Sequence, residues 1–124
     1  MMTVQAGKAL DELIAEHVMG WTKHTYPLEG FTEWKDAEGY WQKYTLPAYS
    51  TEIQAAWLVV ERMKAIRWDV LVRWSEAPEN GRNYHRWLCW VAVDLTTGYG
   101  ADADTAPLAI CLAALKAVGH EVQP

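Results

Sequence analysis

Two consecutive strand-like segments in the middle of the chain constrain the fold most. Residues 68–74 (WDVLVRW) alternate strictly and place Trp68, Val70, Val72 and Trp74 on one face. Residues 84–93 form a second run that is largely apolar on both faces, and a polar segment with Asn80-Gly81 separates the two runs. We therefore predict an antiparallel hairpin within a sheet that is covered on both sides.

A first amphipathic helix is predicted over residues 5–19. Its apolar stripe has helical spacing and consists of Leu10, Leu13, Ile14, His17 and Val18. The acidic residues Asp11, Glu12 and Glu16 are expected on the opposite, solvated side, and Gly20 is placed to end the helix.

A second helix is predicted to start at Ser50 or Thr51, because a hydroxyl there can accept hydrogen bonds from the unpaired amides of the first turn. Thr51-x-x-Gln54 also fits a capping box. The inner stripe is predicted to consist of Ile53, Ala56, Trp57, Val60 and Lys64, and the helix to stop before residue 68.

The last helix is predicted to begin after Asp104-Thr105, with Pro107 in its first turn and Gly119 beyond its end. It is apolar almost all round, which indicates either a buried helix or one that contacts a partner chain. Residues 21–48 show no long period, and we predict an aromatic loop with a short hairpin around residues 37–39.

The complete pattern predicts one domain, residues 1–124, with an α+β fold: a small antiparallel sheet packed by about three helices, in an α/β/α sandwich-like arrangement. Cys89 and Cys111 lie in apolar surroundings and are expected to be buried thiols. No export signal and no apolar run of about 18 residues is present, so neither secretion nor a membrane location is expected.

Charge and aromatic content favour a small anionic partner over a long nucleic acid. The net charge is −5, yet residues 62–86 hold six basic and three acidic side chains. Such a basic centre attracts a small anion, whereas the acidic remainder opposes extended phosphate contacts. Eight Trp and six Tyr stand against one Phe, so most rings carry a polar atom suited to half-wet sites.

Three sequence blocks resemble the phage ABA sandwich domain family. They occur in order at residues 10–21 (LDELIAEHVMGW), 49–57 (YSTEI, then AAW) and 105–115 (TAPLAIC, then AAL). The resemblance implies a small α/β sandwich protein of bacteriophages or prophages, acting in the cytoplasm of the infected bacterium. It implies little about activity, because the family is largely of unknown function.

No complete catalytic motif is present, so an enzyme is not expected. A base and nucleophile pair of His85 and Cys89, or a cation held by Asp94, Asp102 and Asp104, remain possible, although ordinary structural roles explain these residues more simply. No cofactor or metal is expected.

The helix starts, the arginines and the aromatic rings together favour nucleotide binding, since caps and arginines hold phosphate and rings stack on bases. The candidate ligand-binding residues are Trp21, Tyr49, Ser50, Thr51, Trp57, Arg62, Arg67, Arg82, Arg86 and Thr105.

These traits are similar to those of small oligomeric phage proteins that capture nucleotide signals of bacterial immunity. We therefore hypothesise a homo-oligomer that sequesters a cyclic dinucleotide or an ADP-ribose derivative without catalysis. The alternatives are a protein that acts by contact with itself or a host enzyme, and an unrecognised nuclease or hydrolase.

Overall fold

Three helices and two antiparallel three-stranded sheets make up the described part of the chain. A computed structural model describes residues 5–42, 46–66, 68–79, 82–92 and 97–119, with the backbone alone at 75–79 and 82–85. The elements in chain order are α1 (Lys8–His17), β1 (Thr22–Tyr26), β2 (Phe31–Lys35), β3 (Trp41–Gln42), α2 (Ile53–Ala65), β4 (Asp69–Glu79), β5 (Arg82–Ala92), β6 (Gly98–Ala103) and α3 (Ala106–Ala117).

The larger sheet has the strand order β4-β5-β6, with both pairs antiparallel. Its register places Leu71 opposite Trp90 and Trp90 opposite Gly100. Because successive side chains on a strand point to opposite faces, Val70, Cys89 and Val91 point to the inner face and contribute to the core. The predicted hairpin is confirmed, whereas the predicted turn at Asn80-Gly81 lies outside the described residues.

Helix α3 is the centre of the core. It packs on β5 and β6 of the larger sheet and also contacts α1 and α2. Nine of its residues are buried, including Leu115 and Cys111, neither of which has any exposed surface. Thr105 caps its first turn by accepting a hydrogen bond from the Leu108 amide at 3.4 Å. The predicted capped start is confirmed, and of the two roles that the sequence left open for this helix, the structure shows burial within its own chain.

The first two helices are present, but their faces differ in part from the prediction. Leu10 and Ile14 of α1, and Val18 just after it, are buried as predicted, yet Asp11 is also buried and not on the solvated side. His17, predicted on the apolar stripe, is exposed, because the buried stripe runs through Leu10, Asp11, Ile14, Ala15 and Val18 and His17 lies beside it. Gly20 follows α1 with φ +76°, a conformation that favours glycine.

Helix α2 begins at Ile53, and its N-cap is Glu52, which makes no side-chain capping bond. The predicted start at Ser50 or Thr51 and the capping box with Gln54 are therefore wrong. The predicted inner stripe is also rotated: Ile53 and Trp57 are half-exposed. The buried residues of the helix are Ala55, Ala56, Val59, Val60 and Met63.

Residues 21–48 contain a second sheet and not an aromatic loop. Strands β1 and β2 pair from Thr22 with Lys35 to Tyr26 with Phe31, and β3 adds a short third strand. The predicted hairpin around residues 37–39 is confirmed, because Asp36 accepts the amides of Glu38 and Tyr40 at 3.0 and 2.9 Å. Threonine and aromatic side chains on the strands give them good β-propensity despite their weak alternation.

The outer face of the larger sheet is not covered by any of the helices in the described ranges. On this face Leu71 is 56% exposed and Trp90 is 48% exposed. The sequence prediction of a sheet covered on both sides is therefore wrong for the described chain. The apolar residues on the outer face of β5 therefore do not indicate a covering helix. One of them, Trp90, places its indole directly on the backbone of β6.

Both cysteines are free and buried, as predicted. Burial raises the pKa of the Cys89 thiol from 9.0 to about 12, and it raises the pKa of Cys111 as well. Below about pH 9 both folded and unfolded chains keep these thiols protonated, so their contribution to stability is fully present. Above that pH only the unfolded chain releases the protons, and the contribution is lost as the pH approaches 12.

We expect the free energy of unfolding to fall by about 1.4 kcal/mol per pH unit for each thiol above about pH 9. Urea titrations between about pH 8 and pH 10 check this. A double variant, Cys89→Ala with Cys111→Ala, should show a shallower dependence. A wild-type stability that stays constant over this range would contradict the expectation.

Candidate functional site

A large cleft separates the start of α1 from the smaller sheet. Its volume is about 1120 Å³, which is above the usual range of small-molecule sites, about 300–1,000 Å³. The wall formed by the sheet includes Phe31, Trp34 and Trp41, and the opposite wall includes Gly7 and Lys8. The other lining residues are Asp11, Glu12, Gly30, Thr32, Glu33, Gln42, Leu46 and Thr51.

Two aromatic rings of the cleft are open to solvent. Phe31 is 46% exposed and Trp41 is 45% exposed, whereas Trp34, on the opposite face of β2, is buried. Trp41 is held by an edge contact with His24, at 4.8 Å between ring centroids, and by the ammonium of Lys35 at 5.3 Å. A ring fixed on one side and exposed on the other is suited to stacking with a flat ligand.

The first turn of α1 provides the polar part of the cleft. Its N-cap is Gly7, which has no side chain to bond the first amides, and the helix bonds begin with the Asp11 amide donating to the Gly7 carbonyl at 3.0 Å. Uncapped first-turn amides and the helix dipole favour an anionic group. Lys8 adds a positive charge at the same place.

Carboxylates also line the cleft, so its electrostatics are mixed. Glu12 forms an ion pair with Lys23 at 3.5 Å, which offsets its charge. Glu33 of β2 is also among the residues that line the cleft. Carboxylates accept hydrogen bonds from amino and hydroxyl groups, and the cleft therefore offers partners both for an anion and for hydrogen-bond donors.

A buried polar bridge anchors this end of α1. The carboxylate of Asp11 accepts the Ser50 amide at 2.8 Å and the Ser50 hydroxyl at 2.7 Å. The Ser50 hydroxyl in turn accepts the Gly7 amide at 2.8 Å. These bonds join the α1 N-terminus to the segment before α2 and so fix one wall of the cleft.

Of the ten predicted ligand-binding residues, Thr51 lines the cleft. Tyr49 and Ser50 are fully buried, and Trp21 packs half-buried against the core. Burial and the nearby Asp11 carboxylate raise the pKa of the Tyr49 phenol. Trp57 is half-exposed on α2, away from the cleft lining.

The predicted arginines and Thr105 have structural partners or lie outside the described residues. Arg62 donates to the Val18 carbonyl at 3.1 Å and so satisfies the end of α1. Arg86 forms an ion pair with Asp102 at 3.1 Å, and Thr105 caps α3. Arg67 and the side chain of Arg82 are not among the described residues. The described members of the predicted set are thus not gathered into one site.

The described residues form neither of the two alternative sites, the pair of base and nucleophile or the cation site. Cys89 points into the core, and the side chain of His85 is not described. Asp94 is likewise outside the described residues, and Asp102 is paired with Arg86. Within the described ranges no group of three or more His, Cys, Asp or Glu side chains is arranged to hold a metal.

The sequence contains two weak indications of the cleft residues that were not predicted. The first is a helix start at Lys8 with no Ser, Thr, Asp or Asn before it, which indicates amides left open. The second is the Thr and aromatic content of residues 22–35, which is typical of strands. Neither signal reveals that the two segments face one another.

The layered helices, the two antiparallel sheets and the intervening cleft define a small α+β sandwich protein. The chain belongs to the phage ABA sandwich domain family, whose family model matches residues 12–115. The family resemblance of the three sequence blocks is thereby confirmed.

One solved structure is similar over almost the whole chain. It is a phage protein from Bacillus cereus ATCC 14579 with 26% sequence identity and a TM-score of 0.66, and the match covers 99% of this chain and 98% of that chain. A comparison with curated proteins found no significant match. In the described ranges no helix has the length and apolarity needed to cross a membrane.

Proposed function

We propose that this phage protein sequesters a nucleotide signal of bacterial immunity, a cyclic dinucleotide or an ADP-ribose derivative, in the cleft between α1 and the smaller sheet. The observation that carries the proposal is the composition of this one cleft. It combines the open rings of Phe31 and Trp41 with the uncapped first turn of α1. The protein acts as a homo-oligomeric binding protein in the host cytoplasm and does not cleave its ligand.

Each part of such a ligand has a partner in the cleft. A base stacks on Trp41, a phosphate is bound by the first-turn amides and by Lys8, and Glu33 accepts hydrogen bonds from ribose hydroxyls or an exocyclic amine. The volume of about 1120 Å³ suits a ligand with two nucleoside units. The proposed site therefore replaces most of the predicted arginine set with residues of α1, β2 and β3.

The proposal is tested by incubating the protein with cyclic dinucleotides and ADP-ribose derivatives. We expect a rise in melting temperature with one ligand class, because a ligand that binds only the native state stabilises it. After heat denaturation, mass spectrometry should recover that ligand unchanged. Altered products would indicate a nuclease or hydrolase, and the absence of any binding across the panel would contradict nucleotide capture.

Trp41→Ala is expected to weaken nucleotide binding by about 5- to 150-fold, because stacking of one base on an aromatic ring contributes about 1–3 kcal/mol. Isothermal titration calorimetry measures the change. Trp74→Ala is the matched control, since Trp74 is 44% exposed against 45% for Trp41 but does not line the cleft. Equal losses in the two variants would show that Trp41 does not contact the ligand.

A further inference from the structure

The outer face of the β4-β5-β6 sheet presents an apolar centre that no described part of the chain covers. Leu71, Leu88 and Trp90 lie together on this face and line a shallow pocket of about 410 Å³. Leu71 is 56% exposed and Trp90 is 48% exposed, whereas inner-face residues such as Cys89 and Val91 are 1% exposed. Half-exposed apolar side chains gathered on a sheet face are typical of an interaction surface.

The sheet face is unusually flat around Trp90. The indole lies over Gly98 and Gly100 of β6, where an added Cβ would come within 2.5 and 2.7 Å of the ring. Neither glycine presents a side chain, so the face of the indole forms the surface at this position. A flat apolar surface of this kind can pack against another sheet at the usual distance of about 10 Å.

The charges on β4 identify which partner the face fits. Asp69 and Arg73 are exposed and lie on the outer face, two residues before and two residues after Leu71. Among the described residues neither side chain makes an ion pair. They are about 13 Å apart along the strand, too far to neutralise one another within one copy.

A two-fold axis that passes over Leu71 across the direction of β4 exchanges the two ends of the strand. It places Asp69 of each copy opposite Arg73 of the other, with the apolar centres in contact. The same strand thus supplies both members of the pair, which makes the face complementary to itself. A different protein would have to supply the opposite charge order independently.

We propose that two copies of this chain pair face to face through the outer faces of their β4-β5-β6 sheets. Such a dimer has the layer order helices, sheet, sheet, helices. Helix α3, for which the sequence left open burial or contact with a partner chain, is buried within its own chain. The inference rests on the homo-oligomeric part of the proposed function and is independent of the cleft and its ligand.

Sedimentation velocity of the full chain over a range of micromolar concentrations tests the dimer. We expect a wild-type dimer and at least about 100-fold weaker association for Leu71→Asp, equivalent to about 2.7 kcal/mol. Leu58→Asp is the matched control, since Leu58 is 48% exposed but lies on α2. A monomeric wild type, or a dimer that Leu71→Asp leaves intact, would overturn the proposal, and a monomer would direct the search to a different protein partner.

Charge exchange keeps the test decisive if Leu71→Asp does not fold. Asp69→Arg alone and Arg73→Asp alone each oppose like charges across the interface and are expected to weaken the dimer about 10-fold or more. The double variant restores opposite charges and should recover wild-type association. Failure of the double variant to recover it would refute the two-fold arrangement. Nucleotide binding by a monomer would refute the dimer while leaving the cleft proposal intact.

Discussion

Replacement of Asp11 by alanine is expected to lower the free energy of unfolding by about 3 kcal/mol. The Asp11 carboxylate accepts hydrogen bonds from the amide and the hydroxyl of Ser50, and both residues are buried. Alanine leaves the buried Ser50 amide without an acceptor and leaves the Ser50 hydroxyl only its longer bond to the Gly7 carbonyl at 3.3 Å. Hydrogen bonds to a charged group are also the stronger kind. Urea unfolding followed by tryptophan fluorescence measures the loss.

Two control substitutions are needed to interpret the stability of Asp11→Ala. Asp11→Asn keeps a carbonyl oxygen in the place of Oδ1, so it should cost only about 1 kcal/mol. Glu16→Ala, an exposed acidic residue on the same helix, should change stability by about 0.5 kcal/mol or less. If Asp11→Ala were as mild as Glu16→Ala, the buried bridge would not contribute to stability.

The same hydrogen-bonded bridge fixes one wall of the proposed site, so its loss should also weaken ligand binding. Without Asp11, the hydrogen bonds with Gly7 alone join Ser50 to the start of α1, so this wall of the cleft is held less firmly. Where Asp11→Ala remains folded, we expect weaker nucleotide binding than in Asp11→Asn. A loss in Asp11→Ala that Asp11→Asn does not share would show that the acceptor oxygen of residue 11, and not its charge, supports binding.

Leu115→Ala in α3 is expected to destabilise the fold by about 2–5 kcal/mol, which is the usual cost of removing a buried leucine and leaving a cavity. Leu115 has no exposed surface and belongs to the helix that contacts α1, α2 and the larger sheet. The same helix also buries Ala109, Ala113 and Ala114 completely, so it is enclosed on several sides. Thermal and urea unfolding both measure this loss.

Leu28→Ala is the control for Leu115→Ala. Leu28 is 96% exposed in the turn between β1 and β2, so its truncation removes almost no buried surface. We expect its unfolding midpoint to match the wild type. A small effect of Leu115→Ala would mean that α3 is not the centre of the core.

Local patterns predicted the helices well where one face is clearly apolar. Thr105 and Pro107 marked the start of α3 correctly, because a cap acts within one turn. For α2 the same reasoning failed, since the Ser50 hydroxyl bonds across the fold to Asp11, 39 positions away. A capping residue and a residue in a tertiary hydrogen bond have the same appearance in sequence.

Strands were predicted from the sequence where apolar and polar residues alternate clearly, and were missed where they do not. Strands β4 and β5 alternate or are continuously apolar, whereas β6 reads GYGADA and has neither signal. Its glycines are explained only by the neighbouring strand, where Trp90 needs the space. The cleft was not predictable for a similar reason: Lys8, Phe31 and Trp41 come from three elements that only the folded chain brings together.

The contact between Trp90 and the two β6 glycines makes the side-chain sizes at three positions depend on one another. A side chain larger than hydrogen at position 98 or 100 would collide with the indole unless position 90 became smaller. We therefore expect related phage sequences to change these three positions together. A large residue at position 90 should occur with glycines at positions 98 and 100, and larger residues at 98 or 100 should occur with a small residue at 90. Such paired exchange would preserve the thickness of the sheet while its composition drifts.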